Sequence, residues 1–152
     1  MLSITGLSKT YDNGVHALQG VDLSIGKGMF GLLGPNGAGK SSLMRTIATL
    51  QSADSGSITF DGIDVFKDPQ ALRQRLGYLP QDFGVYPRVS AYDLLDHMAV
   101  LKGIHNKAER KESVEGLLAH TNLYQHRSKA VSGFSGGMRQ RFGIAQALLG
   151  DP

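Results

Sequence analysis

Cysteine is absent from this 152-residue chain, which excludes disulfides, thiolate nucleophiles and thiolate zinc sites. No apolar run approaches the ~18 residues needed to span a bilayer, and no charged stretch leads into an apolar one at the N-terminus. The expectation is a soluble, non-secreted chain, and the missing thiols suit a reducing, cytosolic setting. Charge of one sign is also scarce: 16 basic and 13 acidic residues leave a net charge of +3. They are scattered, with no run of five alike, so an arm for nucleic acid is not expected. The five histidines, His16, His97, His105, His120 and His126, show no i, i+4 pair on a shared face and no acidic companion at ligand spacing. A histidine metal centre is not expected either. No internal repeat is found.

Glycine is abundant. The chain has 20 of them, nearly twice the usual share of about 7%. They fall at element ends instead of in one block, as in an α/β protein with many tight turns. Eight consecutive residues, Gly34-Pro35-Asn36-Gly37-Ala38-Gly39-Lys40-Ser41, match G-x-x-x-x-G-K-[ST], a loop that grips nucleotide phosphates. A loop that turns several backbone N–H groups onto one polyphosphate needs positive φ and close approach, which glycine permits at least cost. Lys40 then offers a mobile charge for the β- and γ-phosphates, Ser41 a hydroxyl for Mg²⁺, and Ser42 a further donor in the first helical turn. The flanks agree: Met29 to Leu33 is an apolar run fit for a buried parallel strand, and Leu43, Ile47 and Leu50 follow at helical spacing.

Other elements can be read by period and turn chemistry. Leu2 to Leu7 and Val15 to Ile25 alternate as strands around an Asp12-Asn13-Gly14 turn; Ser57 to Phe60 and Ile63 to Val65 flank an Asp61-Gly62 hairpin turn. Gln70 to Arg75 reads as a short helix leading to a strand at Gly77-Tyr78-Leu79. Helices are then expected from Ser90, with Leu94, Leu95, Met98 and Leu101 on one face; from Asn106, with Val114, Leu117 and Leu118; and from Ser135, with Met138, Phe142, Ala145, Leu148 and Leu149.

Two stretches after the phosphate loop carry a resemblance. Ser135-Gly136-Gly137-Met138-Arg139-Gln140-Arg141 resembles the signature of ATP-binding cassette proteins, and Leu79-Pro80-Gln81 resembles their Q-loop, in the family's order. Tyr11 matches the aromatic with which the family stacks adenine. The resemblance covers Leu2 to Pro152. It implies an α/β P-loop NTPase fold, a RecA-like core with an antiparallel β-subdomain and an inserted helical subdomain. Residues 1–152 would form one nucleotide-binding domain: 1–89 β-subdomain and phosphate-loop core, 90–134 helical subdomain, 135–152 signature loop and helix.

The resemblance also implies the site. Tyr11 and Gly34, Pro35, Asn36, Gly37, Ala38, Gly39, Lys40, Ser41 and Ser42 would bind ATP; Ser41 and Gln81 would reach Mg²⁺. Ser135, Gly136, Gly137 and Met138 would close on the nucleotide of a second cassette in a head-to-tail dimer. The expected partners are that second domain and a membrane permease, with no nucleic acid, placing the protein on the cytoplasmic face of the membrane. Phe134 and Met138 stand where the family has Leu and Gln. Ser-Gly-Gly-Met before basic residues resembles the variant of bacterial type-2 exporters of drugs, lipids or sodium. In the family a buried strand ending in Asp, a following Glu and a switch His come after the Gly150-Asp151-Pro152 position. The expectation is therefore a C-terminally incomplete domain that holds MgATP without turning it over. Alternatives are a non-catalytic nucleotide-binding module and a soluble cassette protein of translation or DNA repair. Phe83, Val85, Tyr86 and Pro87 read either as core packing or as the border of a groove for a permease helix.

Overall fold

The alternating segments at the start of the chain become β1 (Leu2–Thr10) and β2 (His16–Ile25), paired antiparallel with Leu2 opposite Ile25 and Ile4 opposite Leu23. The Asp12-Asn13-Gly14 turn between them forms as expected: Tyr11 N donates to Val15 O at 2.9 Å, and Gly14 adopts φ +82°. This is a computed structural model, and it describes residues 1–81 and 88–152. β3 (Ser55–Phe60) pairs antiparallel with β1 on its other side and β4 (Ile63–Asp64) with β3, giving the order β2-β1-β3-β4. Asp61 at φ +46° and Gly62 at φ +83° form the β3–β4 turn. Two consecutive positive φ values are what a two-residue hairpin needs. Inward-facing Ile4, Leu7, Leu18 and Ile58 are buried, and α1 (Lys40–Ile47) adds Leu43 and Thr46.

The chain divides into two compact units, Met1–Arg73 and Gln74–Pro152. The short helix α2 (Pro69–Arg75) lies at the boundary. The second unit is helical: α3 (Ala91–Leu101), α4 (Lys107–His120) and α5 (Gly136–Ala147), with 3-10 turns at Tyr124–His126 and Val131–Gly133. Ser90 caps α3, its Oγ accepting from Asp93 N at 3.1 Å; Asn106 caps α4, accepting from Ala108 N and Glu109 N at 3.0 and 3.1 Å. Each satisfies orphan donors of the first turn. The apolar stripes meet in one core of Leu94, Leu95, Val114, Leu118, Phe142 and Leu149 with their neighbours. Full burial of one such Leu or Phe stabilises by about 1.5–3 kcal/mol. Arg110 Nε donates to Asp96 Oδ1 at 2.7 Å, fastening α4 to α3 beside it.

Two expected strands are not formed. Residues 29–33 have no ladder partner among the described residues, and Met29 and Leu33 are 101% and 92% exposed. A strand exists through its neighbour's hydrogen bonds, so an apolar extended run without one is not a strand. Gly77-Tyr78-Leu79 is likewise unladdered. A Cβ at Gly77 would strike the carbonyl oxygen of Ala147, so the glycine there permits close backbone approach to the end of α5. Among the described residues, no helix is long and apolar enough to cross a membrane. Phe83, Val85, Tyr86 and Pro87 lie outside the described residues.

Candidate phosphate-binding site

Helix α1 begins without a side-chain cap. Its N-cap is Gly39 in the left-handed region at φ +86°, and no acidic residue occupies the first turn. The first helical bond runs from Leu43 N to Gly39 O at 2.8 Å. The N–H groups of the first turn therefore have no intrahelical acceptor, and the helix dipole places partial positive charge on them. Gly37, at φ +85°, helps turn the preceding loop, and Ala38 N donates to Pro35 O at 3.2 Å across it. Lys40 folds its ammonium back into the same loop, where Nζ donates to Gly34 O and, at 2.6 Å, to Pro35 O. The Lys40 ammonium thus stands beside the uncapped first turn of α1, an arrangement that favours an anion with several oxygens.

Gly39 also fixes where the loop sits. A Cβ there would run into the carbonyl oxygen of Ala17 on β2, so the start of α1 rests directly on the sheet. Ser41 is exposed in the first turn, while Ser42 is buried. Ser42 Oγ lies 2.8 Å from the hydroxyl of Tyr11, which stands half-buried just after β1. That contact, above all, holds the Tyr11 phenol below its ordinary value. Lys9 Nζ stands 6.0 Å from the Tyr11 ring centroid. The first unit therefore gathers Tyr11 and Gly34 to Ser42, the nucleotide residues read from sequence.

Gln81 and the signature residues belong to the second unit. Gln81 is exposed. Ser135 caps α5, its Oγ accepting from Met138 N at 3.3 Å. Gly136 and Gly137 are exposed, and a Cβ on either would meet nothing within 4 Å. Phe134 is buried, edge-on to Phe142 with centroids 6.4 Å apart, and Met138 packs partly buried on the same core. Both departures from the family's signature are thus packing residues here. Among the described residues, no cluster of three or more His, Cys, Asp or Glu could hold a metal ion. Gln51, which ties Tyr11 to α1, was not legible as a site residue because its bond to Tyr11 joins positions 40 residues apart, and Thr46, bonded to Ser42 and Gln51, matters only through it. Only the Thr46-to-Ser42 spacing, one helical turn, gave any signal.

Residues 18–152 match the ABC transporter family. The chain belongs to the ABC transporter family. All of it aligns with the ABC transporter ATP-binding protein NatA of Bacillus subtilis at 38% identity, over 63% of that protein. It aligns equally, at 38% over 41% of the relative's length, with the sn-glycerol-3-phosphate import ATP-binding protein UgpC of Vibrio cholerae. The whole chain also superposes on the ATP-binding cassette MJ0796, solved as a dimer in a post-hydrolysis state with ADP and Pi. There the TM-score is 0.87 at 27% identity, over 71% of that chain. The chain thus spans under two thirds of the length of NatA and of UgpC. As an ABC cassette it has the P-loop NTPase fold expected from the phosphate loop, with the antiparallel sheet read from the first strands.

Proposed function

We propose that this chain is the nucleotide-binding portion of an ABC transporter ATPase subunit, holding ATP by its phosphates at Gly34 to Ser42 with Tyr11 against the base. The observation that carries this reading is the uncapped start of α1 with the Lys40 ammonium turned into the loop before it. The cassette MJ0796, solved bound to ADP and Pi, supports the same ligand class. Mg²⁺ fits as an ion carried by the phosphates. Ser41 can offer one exposed hydroxyl, and the ion supplies charge neutralisation of the triphosphate. Turnover of ATP belongs, in this reading, to a dimer of cassettes.

The second anion grip at Ser135 to Met138 supports a head-to-tail pair in which one cassette closes on its partner's nucleotide. Neither fold packing nor backbone conformation asks for glycine at 136 or 137, so their bareness suits an approaching ligand. The pair would drive a membrane permease from the cytoplasmic face. Export is the direction we favour, on the Ser-Gly-Gly-Met signature; overall similarity does not separate directions, since UgpC is an import protein at the same identity. Titration calorimetry with ATP and Mg²⁺ tests the core of this reading. Heat of binding is expected from the 152-residue chain and is expected to fall more than about tenfold in affinity in Lys40→Ala, as loss of a charged hydrogen-bond donor implies. An absence of heat from the unaltered chain would remove the nucleotide reading.

A further inference from the structure

A polar chain links the aromatic after β1 to the helix that follows the phosphate loop, and its centre is a residue outside every motif. The Tyr11 hydroxyl donates to Gln51 Oε1 at 3.1 Å. The other end of the same carboxamide donates to Ser42 O at 3.0 Å and to Thr46 Oγ1 at 2.9 Å. Thr46 is fully buried and donates in turn to Ser42 O at 2.8 Å. Two acceptors around Nε2 fix which way the amide points, since a flipped amide would set its oxygen against Ser42 O. With its only proton given to Gln51, the phenol can receive but not donate toward Ser42, so Ser42 Oγ is the donor in their 2.8 Å contact. Ser42 has one hydroxyl proton, and it is spent on Tyr11.

We infer that Gln51 is a positioning residue for Tyr11, bracing the phenol against α1 so that its ring is held in place as the platform for the nucleotide base. This rests on the nucleotide reading above and adds to it the means by which the base seat is kept in register with the phosphate seat. The brace explains why a half-buried loop aromatic can act as a fixed surface: its two hydrogen bonds end on Ser42 and Gln51, and Gln51 is itself anchored twice to α1. Restricting a side chain before the ligand arrives lowers the ordering cost of binding. Ser42 then serves the phosphates through its backbone N–H, while its hydroxyl serves Tyr11.

The experiment compares ATP with inorganic tripolyphosphate, which has the phosphates and no base, on the 152-residue chain by calorimetry. Gln51→Leu is expected to weaken ATP roughly three- to tenfold, the size of one lost hydrogen bond, and to leave tripolyphosphate unchanged. Tyr11→Phe, which keeps the ring and loses the tether, should weaken ATP similarly, and the double variant should be no worse than either single one. Thermal melting of each variant checks that the fold persists. Equal loss for ATP and tripolyphosphate would overturn the inference, because damage to α1 alone would do that. Unchanged ATP affinity in Gln51→Leu would overturn it while leaving the nucleotide reading intact. Binding of neither ligand by the unaltered chain would remove both.

Discussion

Helices α1 and α5 both start at glycine-rich turns, yet their first turns are finished in opposite ways. At α1 the N-cap is Gly39 in the left-handed region with no side-chain acceptor, and the nearest cation, Lys40, bends back over the loop. At α5 the N-cap is Ser135 in extended conformation, and its own hydroxyl already accepts from Met138 N. One helix leaves its amides for a ligand; the other satisfies one of them itself. The ordinary helices α3 and α4 are capped as α5 is, by Ser90 and Asn106, so α1 is the exception among them. An uncapped start is costly unless something else pairs with it. Under the proposed function, the contrast favours α1 as the primary anion seat and leaves α5 the secondary one.

The sharpest way to break this contrast is to add one methyl group at each start. Gly39→Ala puts a Cβ against Ala17 O at a φ of +86°, so either the loop or β2 must move. The expected cost is about 2 kcal/mol or more in urea unfolding, with loss of ATP binding. Gly136→Ala meets open space at an ordinary backbone angle and should change stability by no more than about 0.5 kcal/mol. Equal costs at the two positions would mean that α1 is not held on the sheet by this glycine.

A smaller effect tests whether the two grips act separately in a single chain. Ser135→Ala removes the cap of α5 and should lower stability by about 1 kcal/mol. ATP affinity of the 152-residue chain should not change, because the nucleotide seat proposed for a single chain is Gly34 to Ser42. A drop in that affinity, measured by the same calorimetry, would show that Ser135 serves the nucleotide of its own chain.

What was legible in advance follows the range of the forces involved. The turn at Asp61-Gly62, the caps Ser90, Asn106 and Ser135, and most of the apolar faces of α3 to α5 are set within a few residues and form where the sequence placed them, whereas Leu101 and Leu148, expected on those faces, are 64% and 43% exposed at the helix ends. The phosphate loop is legible for the same reason, since its glycines and lysine act through local backbone geometry. Residues 29–33 and 77–79 were misread as strands because strand identity depends on a neighbour, which apolar character alone cannot supply. Gln51 was missed because its role consists of bonds to Tyr11, 40 residues away, and to α1. No local pattern marks such a residue; only the fold brings its partners to it.

The two grips should also differ in their response to acid. Asp54 Oδ2 accepts from Thr10 N at 2.6 Å and Oδ1 faces Lys9 Nζ at 3.4 Å, fastening the residue just before Tyr11. The Thr10 amide first, and Lys9 after it, hold the Asp54 carboxyl below its ordinary 3.8. A carboxyl with a lower value folded than unfolded binds fewer protons in the native state. Its contribution is therefore complete above the ordinary value and fades as pH falls through the folded one. Since Asp54 is about half exposed, 48% for its side chain, the effect is the smallest of those argued. Asp54→Asn should lower the urea midpoint slightly at pH 7, and the gap from the unaltered chain should close below pH ~4. Ser135→Ala changes no titrating group and should keep its gap over the same range. A gap for Asp54→Asn that widened as pH fell below ~4 would show that the carboxylate's charge does not hold the strand end that carries Tyr11.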